Sequence, residues 1–137
     1  MQNETKIFPP KEVAIELKRV GFNELCVGWY IGNQPMDATN PIMSGKKDSN
    51  IGWEHIDTCT APTYDQVIGW FAEVHGIEIR LYGDELCKLY SFEIWTTKPM
   101  ECKEGSRTIT TDKCAYNRQQ SLLTAFMEAI KLIKHEQ

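Results

Sequence analysis

Residues 61–81 constrain the fold more than any other stretch, because they specify a helix, both of its ends and the strand that follows. Thr63 and Gln66 have the T-x-x-Q spacing of a capping box, in which two side chains satisfy free backbone N–H groups at a helix N-terminus. Pro62, just before them, cannot extend the helix backwards. Gly76 stands where a left-handed residue ends a helix, and the residues after it alternate between apolar and polar. The segment therefore predicts a helix, a glycine stop and a half-exposed strand in direct succession.

Two more helices are predicted, one near each end of the chain. The first covers about residues 10–20, and Gly21 followed by Phe22 is typical of a Schellman stop with its hydrophobic contact. The last begins near Asn117, whose spacing to Gln120 repeats the capping pattern in asparagine form. One apolar stripe runs along this last helix: Leu122, Phe126, Ala129, Ile130 and Ile133.

The strand signals lie in four places. Residues 25–31 are apolar at nearly every position, which predicts a strand that is covered on both faces or central in a sheet. Residues 77–82, 88–97 and 107–111 follow one another closely and predict an antiparallel meander whose last strand is a polar edge strand. In the second meander strand we expect Tyr90, Phe92 and Ile94 to face the core and Ser91, Glu93 and Trp95 to face outward.

Together these elements predict an α+β fold in one domain over residues 1–137. An antiparallel four-stranded sheet would carry three helices mainly on one face, as a two-layer sandwich. Residues 53–59 alternate weakly and would supply a fifth, edge strand. Residues 32–61 otherwise lack periodicity and predict a long irregular loop, which is usually functional or poorly ordered.

Composition excludes several classes of function. Hydrophobic residues make up 42% and charged residues 25%, as in ordinary globular domains. The net charge is −4 and the lysines and arginines are scattered, so nucleic acid is an unlikely partner. No apolar run reaches the roughly 18 residues of a membrane span, and the polar N-terminus lacks a secretory h-region. A cytoplasmic location with no membrane contact is the expectation.

The five cysteines carry no metal or redox motif. No pair has C-x-x-C spacing, which favours reduced thiols that behave as small hydrophobes. We expect no metal and no cofactor.

The chain resembles a family of small uncharacterised proteins from gut bacteria and their phages. The resemblance rests on residues 14–22, on the A-P-T-Y-x-Q-V-x-x-W-F segment at 61–71 with the following H-G-I, and on residues 125–133. It implies an α+β fold and an origin on a prophage or other mobile element, and it implies no activity.

The central helix is apolar over an unusually wide part of its surface. A layer of three helices would explain Val67, Phe71 and Val74. Tyr64 and Trp70 lie at the flanks of this surface, where they either pack against neighbouring helices or form a homodimer contact or ligand wall.

One constellation resembles catalytic chemistry. Trp53, His55, Asp57 and Cys59 alternate onto one face of the predicted edge strand. A Cys–His pair needs a third group and an oxyanion hole, and a metal needs more ligands, yet the sequence shows a signature for neither. We therefore assign no catalytic residue and no metal ligand.

The exposed face of the meander is the other candidate, since it would hold Arg80, Tyr82, Glu93 and Trp95. A sheet face with two aromatic residues suits a partner surface. The leading hypothesis is a non-enzymatic accessory protein of phage or mobile-element origin that binds an unidentified protein partner, with a homodimer expected. The alternative is a small hydrolase or ligand-binding domain whose site lies under the 32–61 loop.

Overall fold

The computed structural model describes residues 7–50, 58–84, 89–96, 107–110 and 117–136. These residues form three helices and six strands: α1 (Lys11–Arg19), β1 (Cys26–Tyr30), β2 (Ile42–Asp48), β3 (Cys59–Thr60), α2 (Tyr64–His75), β4 (Ile77–Asp84), β5 (Leu89–Thr96), β6 (Arg107–Thr110) and α3 (Arg118–Glu136). All paired strands are antiparallel, so the predicted α+β class is confirmed. The strands form two three-stranded sheets, β2-β1-β3 and β4-β5-β6, where the sequence predicted a single sheet of four or five strands.

The chain divides into two compact units, residues 1–67 and 68–137, and the boundary falls inside α2. Each sheet belongs to one unit. The prediction of one domain over the whole chain stays a prediction.

In the first unit, α1 ends in the predicted Schellman motif. The Phe22 N–H donates to the Leu17 carbonyl at 2.9 Å and the Gly21 N–H donates to the Lys18 carbonyl at 3.1 Å. Gly21 has φ +96°, which residues with a Cβ rarely adopt, and the Phe22 side chain is buried. The helix starts one residue later than predicted, because Pro10 is extended and acts as the N-cap.

The central position of β1 is confirmed, since β2 pairs with one of its edges and β3 with the other. The expectation of an irregular loop over residues 32–61 is wrong for residues 42–48, which form β2. Its sequence I-M-S-G-K-K-D does not alternate, so periodicity could not reveal it. Between the pairs Cys26–Asp48 and Gly28–Met43, β1 advances two residues and β2 advances five, so the register shifts and β2 is irregular there.

In the second unit, β4 and β5 pair residue for residue over eight positions, from Ile77–Thr96 to Asp84–Leu89. Phe92 and Ile94 are buried, as predicted, on the sheet face against which α3 packs. All five residues of the predicted apolar stripe of α3 are buried.

Both predicted helix caps are present. The Thr63 N–H donates to Gln66 Oε1 at 3.1 Å, and the Gln66 N–H donates to Thr63 Oγ1 at 3.2 Å, which completes the reciprocal capping box of α2. At α3, the Gln120 N–H donates to Asn117 Oδ1 at 2.7 Å. Gly76 ends α2 with φ +64°.

Candidate functional site

The outward face of the β4–β5 pair carries a cluster of charged and aromatic side chains. Because side chains alternate along a strand, β4 places Glu78, Arg80 and Tyr82 on this face, and the register sets Glu93 and Trp95 of β5 beside them. We call these five residues the aromatic–charged face. The structure thus brings together Tyr82 and Trp95, two of the candidates from the sequence.

Direct contacts order these side chains. Glu93 Oε1 accepts hydrogen bonds from the Tyr82 hydroxyl at 2.7 Å and from Trp95 Nε1 at 3.0 Å. The Arg80 guanidinium lies over the Trp95 ring, 4.6 Å from its centroid, and Arg80 Nε donates to Glu78 Oε1 at 3.2 Å. Each polar side chain therefore has a partner, although 47% of the Tyr82 residue surface is exposed.

The same contacts set the ionisation of the face. Hydrogen bonds from Tyr82 and Trp95 lower the pKa of the Glu93 carboxyl, and the bond to that carboxylate raises the pKa of the Tyr82 hydroxyl. The hydrogen bond to Glu78 raises the pKa of the Arg80 guanidinium. At neutral pH the face therefore presents fixed charges and a neutral phenol, which suits binding rather than proton transfer.

Tyr64 and Trp70, the two candidates on the central helix, do not lie on a surface. Tyr64 is 8% exposed and Trp70 is 3% exposed. The Trp70 ring contacts the Phe71 ring and the His75 ring, with centroids 5.2 and 4.7 Å away. Packing, one of the two interpretations that the sequence leaves open, explains their burial. A role as a dimer contact or ligand wall stays a prediction. Val74, which we expected to pack in a helix layer, is 49% exposed.

Cys59, the cysteine of the constellation on the predicted edge strand, is fully buried, which leaves its thiol without access to solvent. It packs in a buried cluster with Tyr30 and Ala61. Burial, followed by the electrostatic effects of Cys59 and Tyr64, raises the pKa of the Tyr30 phenol. Cys26 is also buried and unbridged, and burial raises the pKa of its thiol. The prediction of thiols that pack as small hydrophobes is confirmed for these two cysteines.

The remaining candidates of the first unit, Trp53, His55 and Asp57, lie outside the described residues. So do the thiols of Cys87, Cys102 and Cys114.

Sequence reasoning missed Lys11. Its side chain is 1% exposed, and its ammonium donates to three backbone carbonyls: Ile31 at 2.7 Å, Gly32 at 3.3 Å and Gln34 at 2.8 Å. A fully buried lysine is rare, and three bonds use all of its donors. One signal could have drawn attention to it: a cation in the first turn stands at the unfavourable end of the helix dipole.

The chain after β1 closes over the start of α1. The backbone N–H groups of Lys11 and Glu12 donate to the carbonyls of Ala38 and Met36, both at 2.9 Å. These bonds satisfy helix N–H groups that have no partner within the helix. The described first part of the 32–61 loop therefore covers a helix end, and two of its carbonyls, with that of Ile31, form a cage around the Lys11 ammonium.

Among the described residues, no three His, Cys, Asp or Glu side chains are grouped to hold a metal ion. None of the described helices has the length and apolar character needed to cross a membrane. Comparisons of the chain with protein families, with curated proteins and with solved structures give no match.

Proposed function

We propose that this protein is an accessory protein that binds a protein partner through the aromatic–charged face, acts without catalysing a reaction, and does so as a homodimer. The assignment to a phage or other mobile element comes from the sequence resemblance alone. The observation that carries the proposal is the ordered Arg80–Trp95 and Tyr82–Glu93 contacts on an outward sheet face.

The residue types on this face are those that dominate binding energy in protein interfaces. Tryptophan, tyrosine and arginine are enriched at hot spots, because they bury a large area and still offer a polar group. Binding is also favoured when side chains need little further ordering, since immobilising a flexible side chain costs about 0.5–1.5 kcal/mol. Trp95, Tyr82 and Arg80 already hold one another in place.

The same contacts could serve only to stabilise the sheet, because cross-strand pairs do so in many proteins. Two features support binding over that explanation. The first is that 47% of the Tyr82 surface is exposed. The second is that Glu93 accepts both of its hydrogen bonds at Oε1, so its other carboxylate oxygen has no partner among the described residues. The alternative of a hydrolase or ligand site under the loop gains no support from the described residues, where Cys59 is buried.

The test is quantitative affinity capture from the native host, with the tagged wild-type chain and three tagged variants as bait. Trp95→Ala and Arg80→Ala change the face, and Lys131→Ala changes an exposed cation on α3 as a matched control. We expect the same partner with the wild-type chain and with Lys131→Ala, and at least about a tenfold loss with Trp95→Ala. Equal recovery with all variants, each shown to be folded by circular dichroism, would contradict the proposal.

A further inference from the structure

We infer that the homodimer forms by antiparallel pairing of two β4 strands, which joins two three-stranded sheets into one of six strands. The inference deepens the homodimer part of the proposed function. The aromatic–charged face can bind its partner whether or not this edge pairs.

β4 is an edge strand whose outer edge is open as far as the described residues show. It ends the order β4-β5-β6, and among the described residues no strand pairs with its outer edge. Regular edges of this length attract other strands, and proteins commonly block them with proline, lysine or a bulge. The eight residues of β4 contain neither proline nor lysine, and their one-to-one register with β5 excludes a bulge.

β2, one of the two edge strands of the first unit, has such protection. The register shift described above interrupts its regular pairing with β1, and Lys46 and Lys47 lie in the irregular stretch. In the part of the chain that the structure describes, the outer edge of β4 is therefore open to another strand, whereas that of β2 is not.

The charges on β4 favour a second copy of the same strand as the partner of its outer edge. Two identical antiparallel strands must pair about a two-fold axis, and a shift of one residue would place core side chains on the wrong face. When the axis passes through Ile79, Glu78 of each copy lies opposite Arg80 of the other. On the core face, Ile79 then meets Ile79 of the second copy, and Ile77 meets Leu81.

The neighbouring registers are disfavoured. An axis through Arg80 would place two arginines opposite each other, and an axis through Glu78 would do the same with two glutamates. An axis through Leu81 would oppose Glu78 to Asp84. Like charges directly across a strand pair are destabilising, so among the registers centred on residues 78–81 the sequence of β4 favours the one centred on Ile79.

In the register centred on Ile79, Glu78 of each copy lies opposite Arg80 of the other, and two charge reversals test this pairing. In Glu78→Arg, positions 78 and 80 are both positive, and in Arg80→Glu both are negative. Each variant alone repels its own copy. An equimolar mixture of the two restores two opposite-charge pairs between chains, while the pair within each chain stays broken.

Sedimentation equilibrium from about 10 µM to about 1 mM measures the association, since a strand-edge contact is at the small, weak end of interfaces. We expect a wild-type monomer–dimer equilibrium, at least about a tenfold higher dimer Kd for each single reversal, and recovery of the wild-type Kd in the mixture. Circular dichroism of each variant confirms that it is folded.

A wild-type chain that stays monomeric, reversals without effect, or a mixture that stays dissociated would each overturn the inference. Trp95→Ala separates the two proposals, because Trp95 lies on the central strand β5. We expect this variant to dimerise normally, and loss of dimerisation would place the contact on the face and not on the edge. Loss of partner capture with an intact dimer would support the face alone.

Discussion

The two units differ in where their polar side chains lie: in the first unit some are buried against the backbone, and in the second they lie on an outer sheet face. In the first unit, Lys11 and Asn50 turn inward and hold irregular backbone: Asn50 Nδ2 donates to the Phe22 carbonyl at 2.8 Å, and its Oδ1 accepts from the Thr60 N–H at 2.9 Å. In the second unit, β4 and β5 pair with each other residue for residue without help from side chains, and the polar side chains of the aromatic–charged face lie at the surface. In irregular segments, polar side chains form hydrogen bonds with the backbone and so stabilise the fold. In a regular sheet the strands bond to each other, so polar side chains on the outer face remain available for binding.

The comparison is tested most strongly at Lys11. Lys11→Met removes the ammonium donor of three partly buried carbonyls, of which Ile31 keeps the Gln34 N–H at 3.0 Å. We expect the free energy of unfolding to fall by about 3 kcal/mol, since bonds to a charged donor are worth about 1.5–3 kcal/mol each. Urea denaturation followed by circular dichroism measures it. The control Lys131→Met changes an exposed lysine and should stay within about 0.5 kcal/mol. A loss below about 1 kcal/mol at Lys11 would show that the cage is not needed.

Asn50 should have the next largest effect. Asn50→Ala removes the two hydrogen bonds that its side chain makes with the Phe22 carbonyl and the Thr60 N–H, so we expect a loss of about 2 kcal/mol. Asn40→Ala is the matched control, because Asn40 is exposed and uses only its backbone carbonyl, which accepts from Gln34. Equal effects of the two substitutions in urea denaturation would contradict the inward role of Asn50.

In the second unit the corresponding test concerns packing. A Cβ added at Gly83 would lie 2.5 Å from two carbons of the Tyr90 ring, which crosses the glycine from the opposite strand. We expect Gly83→Ala to cost about 1–2 kcal/mol, because the ring must move. In a Tyr90→Ala background the same change should cost almost nothing. Additive effects in this double-mutant cycle would show that the ring does not constrain Gly83.

The smallest expected effect is a change in pH dependence. Burial raises the pKa of Tyr64 from 10.0 to about 12. The unfolded chain therefore loses this proton first, and the stability that Tyr64 contributes is complete below pH 10 and declines between pH 10 and 12. Tyr64→Phe should reduce the slope of stability against pH above 10 and leave that slope unchanged near pH 7. An unchanged slope at high pH would indicate that the phenol is accessible in the folded protein.

The sequence predicts those parts of the structure that depend on neighbours in the chain. The capping box of Thr63 and Gln66 and the stop at Gly21 span only a few residues, and both occur as expected. The alternation along β4 and β5 likewise placed Tyr82 and Trp95 on one face. Local rules suffice for these features, because the partners are set by helix or strand geometry.

The parts that the sequence did not predict depend on contacts between distant residues. Lys11 and its carbonyl partners are about twenty positions apart, and Asn50 joins Phe22 to Thr60 across a turn of the chain. β2 carries no alternation, so its pairing with β1 is visible only in the fold. The sequence leaves the burial of Trp70 undetermined for the same reason, since a wide apolar helix surface does not reveal which residues cover it.

Site-specific photo-crosslinking in the native host tests the central claim most directly. Benzoylphenylalanine at Tyr82 probes the aromatic–charged face, and the same group at Val74 probes α2 at nearly equal exposure, 47% against 49%. We predict an adduct from position 82 with a protein other than a second copy of this chain, absent from position 74 and abolished by Trp95→Ala. Equal adducts from both positions, or none from position 82, would contradict the assignment of this face as the binding surface.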